Sequence, residues 1–535
     1  MFAQAFSALM ARLGPEAVPL PRIEHAWQYR AESDAAAALN AEPGNMTLSQ
    51  RLRDAEGYRA IQRARRTALE ALLAVPPTEA TLAKAVDLIA AICEESTWSA
   101  NRSNQPFDDE GHPEIDLQCA ETAVLLGWTN RILGESLQQI SPRIAPRMTA
   151  EVRRRAFRPL QVHDDYAFMR GEDACPMTVA ADLLLACLML ERDETRASRI
   201  LRPLLRILDD NCGRHGRAFV PLAQAVTEIA AVTDLAVLIR AATDDAVDLA
   251  GAVPSDDWLD EILFSWIQDQ YFVDPAGDGM KPPLPGSDIF RIGLTTGDEP
   301  LTALGAQVFH HNALPSGTVT GRIMDGWAIS KLETAVGRPP LLRYAAVRNN
   351  RLMTARIPGL YCALHVGGGR ANAGDFCLFA DGAPILVDGG RDCPARNLPL
   401  LCGREQLSMP SRPCIADFED REDREFMSVD LTHAYPSECG LRSFQRTVLT
   451  LRAERTVRLV DALDFESPAG VSFVFVTPVR PAVLSTAVRL GPVRMTWEGD
   501  FDVSASPLSG ALYRLELTVT QPVRQGLFAF NFEGA

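Results

Sequence analysis

Few side chains in this sequence can move a proton near neutral pH: it has only 8 histidines among 535 residues, so each can be weighed by itself. His365 falls in Tyr361 to Val366, which reads as a strand. A half-buried, hydrogen-bonded imidazole is the ordinary outcome there, and a place on a binding surface is the alternative. His215 lies in a loop beside Gly213 and Gly216, where it can act as an acid or base or simply face water. His310 and His311 end a helical stretch and His433 precedes Ala434, positions where local backbone and surface roles suffice. The acidic run Asp417 to Glu425, interleaved with Arg421 and Arg424, reads as a solvated loop rather than a metal site. Gly367-Gly368-Gly369 lacks the following helix and the Lys-Ser/Thr pair of a phosphate loop and is rejected as one.

Two kinds of element must position these residues. From Leu48 to Gly337 apolar residues recur at helical spacing, and Ile61–Val75, Thr81–Cys93, Leu117–Leu133, Thr178–Leu190, Ala197–Leu208 and Asp256–Gln270 read as amphipathic helices. After Pro339 the pattern shifts to short segments rich in Val, Leu, Phe and Thr between Gly, Pro and Asp turns. Tyr361–Val366, Phe376–Phe379, Ile385–Val387, Thr447–Leu451, Val457–Leu459, Ser472–Val476 and Leu512–Val519 read as strands. The first half is therefore expected to be all-α, and the second a β-sandwich or related multi-sheet structure.

The formal net charge of −16 disfavours nucleic acid as a partner, which needs a basic surface. It also repels a polyanion except where Arg or Lys cluster within a screening length of about 8–10 Å. The 11 cysteines are scattered and form no C-x-x-C pair, a pattern of free thiols in a reducing compartment. Met1 to Leu13 lacks a basic n-region, and no stretch is read as reaching the roughly 18–20 apolar residues of a membrane helix. A cytoplasmic protein with no membrane partner is the expectation, with the oligomeric state left open.

Five stretches stand out in order: Cys93-Glu94-Glu95-Ser96-Thr97-Trp98 with Ile115-Asp116-Leu117 and Ala120 to Ala123; Tyr271-Phe272-Val273-Asp274 with Phe290-Arg291-Ile292-Gly293; Gly374-Asp375-Phe376 to Gly382 with Ile385 to Gly390; Arg396-Asn397-Leu398-Pro399-Leu400 to Gln406; and Asp430-Leu431 with Ala434-Tyr435-Pro436. Together they resemble the heparinase II/III-like family. The resemblance implies an N-terminal extension (1–47), an (α/α) toroid (48–337) and an antiparallel β-sandwich (338–535), an α+β multidomain chain. It further implies a cleft between toroid and sandwich suited to an acidic polysaccharide or oligosaccharide, and Trp98 as the tryptophan best placed to stack on a sugar.

Uronate lyases of this kind work by β-elimination, which needs a cation for the sugar carboxylate, a base for the adjacent carbon-bound proton and an acid for the leaving oxygen. The resemblance also shows what this chain has exchanged. Where the family carries His-x-His-x-Asp, Gly368, Gly369, Arg370, Ala371 and Asn372 stand, and where it carries a later His-Asn-Leu-Pro, Arg396 begins the motif. Of three implied zinc ligands only Asp388 survives, and guanidinium groups that keep their protons do not bind zinc. On the helical side Phe219 to Gln224 keeps Pro221 and loses the tyrosine acid, and Asp173-Ala174-Cys175 replaces Asn-Asn-Trp.

The expectation is thus a metal-free, cofactor-free triad of Arg370, Asp388 and Arg396, in which guanidinium charge replaces the zinc. Arg370, Asn372 and Arg396, with Trp98, are the candidate sugar contacts. Two functions remain open: a catalytically silent or rewired binding relative of the lyases, and an active lyase using Arg370 with His215, His365 or a nearby tyrosine for proton transfer.

Overall fold

The computed structural model describes residues 2–14, 18, 28–42, 44–100, 112–171, 175–212, 221–253, 256–276, 283–312, 314–325, 344–346, 351–367, 372–389, 393, 395–407, 414–508 and 511–534. The chain forms two compact units that are not two continuous halves. One takes Met1–His215, Gln224–Ser255 and Pro285–Arg338; the other takes Gly216–Ala223, Asp256–Leu284 and Pro339–Ala535. The described part of 1–47 belongs to the helical unit. There Phe2–Met10 packs on Glu194–Cys212 and Gln28–Asn40 on Ala55–Leu73.

The helical unit is built from segments whose ends carry their own stop signals. Asp116 caps Leu117–Ile140 by accepting the Cys119 N–H at 3.0 Å, and Asp298 caps Glu299–His311 through the Leu301 N–H at 2.8 Å. Glu194–Cys212 buries Ala197, Ile200, Leu201, Leu204, Leu205 and Leu208, the i, i+3, i+4 stripe of a helix with one face inward. Every residue of Pro176–Leu190 is buried, which makes it the centre of this unit. Contrary to the sequence reading, Leu222–Ala242 is long and apolar enough to cross a membrane, but 78% of its apolar window is buried inside the protein. It carries buried Glu228 and Asp234, and it serves as a core helix.

Two of the family-like motifs are charge knots inside this unit. Glu95 is held by Arg65, Arg66 and Gln62 at 2.9–3.3 Å. Arg291 bonds Asp234 at 2.8 Å, Asp288 at 2.6 Å and also Asp325. Buried ions persist only when paired in this way.

The second unit stacks three antiparallel sheets on one core. Tyr344–Ala346, Leu352–Ile357, Leu360–His365, Phe376–Ala380 and Ala383–Leu386 form a meander in that order. An eight-stranded sheet runs Ala482–Val483, Ala487–Leu490, Val493–Trp497, Val523–Gly534, Thr456–Ala469, Leu441–Leu451, Arg424–Asp430, Ala416–Asp420. The third runs Phe501–Pro507, Tyr513–Val519, Val471–Thr477, Pro399–Leu401. Cys362, Leu364 and Phe376 of the first sheet, Phe444, Phe530 and Phe532 of the second, and Phe473 and Phe475 of the third share that core.

Two readings are corrected here. The helix from Asp256 stops at Ser265, and Trp266–Gln268 pairs antiparallel with Tyr271–Phe272 around Asp269 at φ 53°. This hairpin covers the outer face of the meander, packing Ile267 and Val273 on Leu352, Tyr361, Ala363 and Phe379. The acidic run Asp417 to Glu425 is a strand pair at the sheet edge rather than a loop, with Arg452 bonded to Asp420 at 2.8 Å and to Glu425.

Candidate functional site

A meander covered on both faces has no solvated side, so polar residues on its outer face are sealed in. His365 is one of them. It alternates with Tyr361 and Ala363, lies opposite Leu352, and is 1% exposed, fully rather than half buried. Neither ring nitrogen reaches a partner at normal hydrogen-bond geometry among the described residues. Burial pushes the imidazole below its usual range, against the opposing pull of the Asp388 charge and the Pro275 carbonyl, so the ring is neutral at pH 7.

The backbone beside it turns tightly. His365 donates its N–H to the Asp375 carbonyl at 2.9 Å and accepts the Gly374 N–H at 2.7 Å. Gly374 has φ 79°, and an added Cβ would stand 2.6 Å from Leu431 Cδ1, so only glycine fits. The turn brings Asp375 to the same buried pocket of charge. Asp375 accepts the Asn397 N–H at 3.1 Å. Burial, and then the neighbouring Asp388 carboxylate, push it up to about 7. Asn397 in turn donates to the Val387 carbonyl at 2.9 Å and accepts the Val476 N–H at 2.7 Å, tying three segments together.

Arg396 Nη1 lies 3.8 Å from Asp388 Oδ1, within the range of an ion pair. The pairing is one-armed rather than bidentate, because the same nitrogen donates to the Cys393 and Ala395 carbonyls at 3.1 Å each. Arg396 is the outermost of these groups, its side chain 19% exposed against 6% for Asp388. Arg351 extends the seam inward, pairing at 3.2 Å with Glu261, whose carboxyl burial raises to about 7.

The third member of the expected triad, Arg370, lies outside the described residues, as do His215, Asp173, Phe219 and Val220. Asn372 is half-buried and its carbonyl accepts the Asp375 N–H at 3.1 Å. Trp98 does not offer a sugar-stacking face. It is 2% exposed, its Nε1 donates to the Ile92 carbonyl at 2.9 Å, and the Arg155 guanidinium covers its ring at 4.9 Å. Arg155 is held over that ring by Glu151 at 3.0 Å and by the backbone carbonyls of Cys93, Glu95 and Ser96.

Sequence reading missed Asp375, although it sits in a quoted motif, and it missed Arg446. The latter is 1% exposed. It grips Asp461 with both arms at 2.8 and 2.7 Å, and its Nη1 donates to the Gly374 and Asn397 carbonyls at 2.8 and 2.5 Å. One guanidinium thus fixes both loops that carry Asp375 and Arg396. Alternation along Leu441–Leu451 was the available signal, since Phe444, Arg446 and Val448 share one inward face.

Chemically, the cluster joins two carboxylates, a neutral imidazole and a guanidinium with almost no solvent access. The residues here do not fit a zinc ion, because Arg396 stands 3.8 Å from Asp388, the one surviving ligand, and a guanidinium that keeps its proton does not coordinate metal. The buried tyrosines Tyr361 and Tyr435 give their hydroxyls to the Phe264 and Pro399 carbonyls, and burial pushes both hydroxyls up, away from service as acids near pH 7.

No family model matches the sequence, and no curated protein matches it. Solved structures do. Heparinase III aligns with a TM-score of 0.56 at 11% identity over 93% of this chain and 79% of that one. Heparan sulfate lyase HepC from Pedobacter heparinus aligns with a TM-score of 0.56 at 12% identity over 99% and 87%. The chondroitin AC lyase of Streptomyces coelicolor A3, solved with chondroitin sulphate, aligns with a TM-score of 0.56 at 11% identity over 99% and 83%. The fold is therefore that of these polysaccharide lyases, an N-terminal (α/α) toroid followed by an antiparallel β-sandwich.

Proposed function

We propose that this chain binds an acidic polysaccharide or oligosaccharide and does not cleave it by the elimination chemistry of the lyases whose fold it shares. The observation that carries this reading is the closed cluster at Asp388. Its carboxylate faces Arg396 at 3.8 Å and the only imidazole beside it among the described residues, His365, is sealed from solvent. A general base must come within hydrogen-bond reach of a substrate proton, directly or through one water. A ring that is 1% exposed does not offer that reach. Binding of an acidic sugar is supported by the fold and by the substrates named for its structural neighbours.

With a net charge of −16, capture of a polyanion has to be local and salt-sensitive. The test is incubation with heparin, heparan sulfate, chondroitin sulfate, hyaluronan and alginate while following the unsaturated-uronate absorbance and the melting temperature. The absorbance should stay flat, while at least one sugar raises the melting temperature by about 2 °C or more at low salt. An absorbance rise that Arg370→Ala abolishes would replace this reading with an active lyase. A flat absorbance with no thermal shift for any of the sugars would remove the binding half.

A further inference from the structure

A second group of side chains, in the helical unit and apart from the Asp388 cluster, converges without any role in the function above. His112, just before Pro113, and His163 and Asp165, which follow the helix Arg158–Val162, bring two imidazoles and one carboxylate together. One ligand atom from each lies within 4.8 Å of the others. His112 Nε2 and Asp165 Oδ1 are 2.8 Å apart, and the two imidazole centroids are 4.2 Å apart with their planes tilted by 43°.

The two segments are held in register from beneath. Tyr166 is buried at 2% exposure, donates its hydroxyl to the Pro113 carbonyl at 3.0 Å, and packs against His112 at 5.0 Å and the buried Phe168 at 6.1 Å. This contact fixes the backbone that carries His112 against the segment that carries His163 and Asp165. Above it the site is open, with the His112 side chain 35% exposed and Asp165 58%. An ion can therefore enter and keep bound water.

We infer that His112, His163 and Asp165 form a binding site for a divalent transition-metal ion of the Zn²⁺ class. Two nitrogens and one carboxylate suit Zn²⁺, Co²⁺ or Ni²⁺ at bond lengths of about 2.0–2.2 Å, whereas Ca²⁺ and Mg²⁺ demand oxygen-rich shells. Ligands on a tetrahedral ion at those lengths stand roughly 3.3–3.6 Å apart. Loading the site therefore requires His112 and Asp165 to exchange their mutual hydrogen bond for the metal and separate by about half an ångström. The ion would staple the loop before Leu117–Ile140 to the segment after Arg158–Val162.

The test uses the full chain, stripped with a chelator and carrying Cys402→Ser so that the exposed Cys402 thiol cannot contribute. Titration with Zn²⁺ by calorimetry, and with Co²⁺ by visible absorption, should give one equivalent bound. His163→Ala and, as a second and more exposed variant, Asp165→Asn should each weaken binding by at least about tenfold with the far-ultraviolet dichroism unchanged. Zn²⁺ binding that survives both substitutions, no uptake by the unsubstituted chain, or equal binding of Ca²⁺ would each overturn the inference.

Discussion

A guanidinium and a carboxylate that are both sealed from water are stable only together, and Arg446 with Asp461 is the clearest such pair in this protein. Removing one member strands the other in a low-dielectric interior, and here it also strips the Gly374 and Asn397 carbonyls of their donor. Arg446→Met should therefore destabilise the sandwich unit by about 3–5 kcal/mol in urea unfolding followed by far-ultraviolet dichroism. A loss below about 1 kcal/mol would mean that the guanidinium does not hold the site together. The same residue explains how much of the site was legible. Asp388 and Arg396 could be picked out because their motifs are local runs in sequence. Arg446 reaches the site from a strand 50 residues beyond Arg396, and nothing in the neighbourhood of either residue points to the other. His365 was found but expected to be half-buried, because one strand cannot reveal that a hairpin ending near residue 272 will cover its outer face.

Between elements, the helices Gly286–Thr296 and Glu299–His311 approach closely through glycines. A Cβ built on Gly305 would stand 2.3 Å from the Phe290 amide nitrogen, one on Gly286 2.3 Å from that of Phe309, and one on Gly293 2.4 Å from that of Thr302. These are backbone atoms, which cannot swing aside. Gly305→Ala should cost about 1–3 kcal/mol despite the better helix propensity of alanine. Gly134→Ala, in Leu117–Ile140, meets only the Asn130 side chain at 3.4 Å and should be neutral or stabilise by up to about 1 kcal/mol. Parallel thermal melts of the two variants check this, and a tolerated Gly305→Ala would show that the helices can move apart. Helical and strand halves were legible from periodicity, since long one-faced stripes such as that of Glu194–Cys212 admit no other reading. The hairpin at Trp266–Phe272 was not, because Trp266 and Ile267 continue the apolar rhythm of the preceding helix and only Asp269 carries the turn. The acidic edge hairpin escaped for the opposite reason, its charges masking the alternation.

At the scale of the whole molecule, buried carboxyls outnumber buried guanidinium groups among the described residues, and this fixes the direction of its response to pH. Burial raises Asp234 to about 6 and Asp325, Glu261 and Asp375 to about 7. It raises Glu121 and Asp182 as well. In the unfolded chain these groups ionise near about 4. Between about pH 4 and 7 the folded state therefore holds more protons than the unfolded one, so each group contributes stability that is complete at low pH and is lost as pH rises through its folded value. His365 acts the other way, since burial lowers it and the unfolded chain takes up its proton first as pH falls. At the acid end Glu191, held at about 2 by Arg196 and Arg153 against its own desolvation, loses its contribution below about pH 4. Burial raises Glu425 too, and these seven raised carboxyls outweigh one lowered imidazole, while the net charge of −16 adds self-repulsion that grows with pH. The melting temperature should accordingly rise by about 5 °C or more from about pH 8 to about pH 5.5 and fall again below about pH 4. Scanning calorimetry across that range at constant ionic strength decides the matter. A melting temperature at about pH 8 equal to or above that at about pH 5.5 would mean that these carboxyls are ionised in the folded protein, and hence better paired than their burial among Arg291, Arg351 and Arg396 implies.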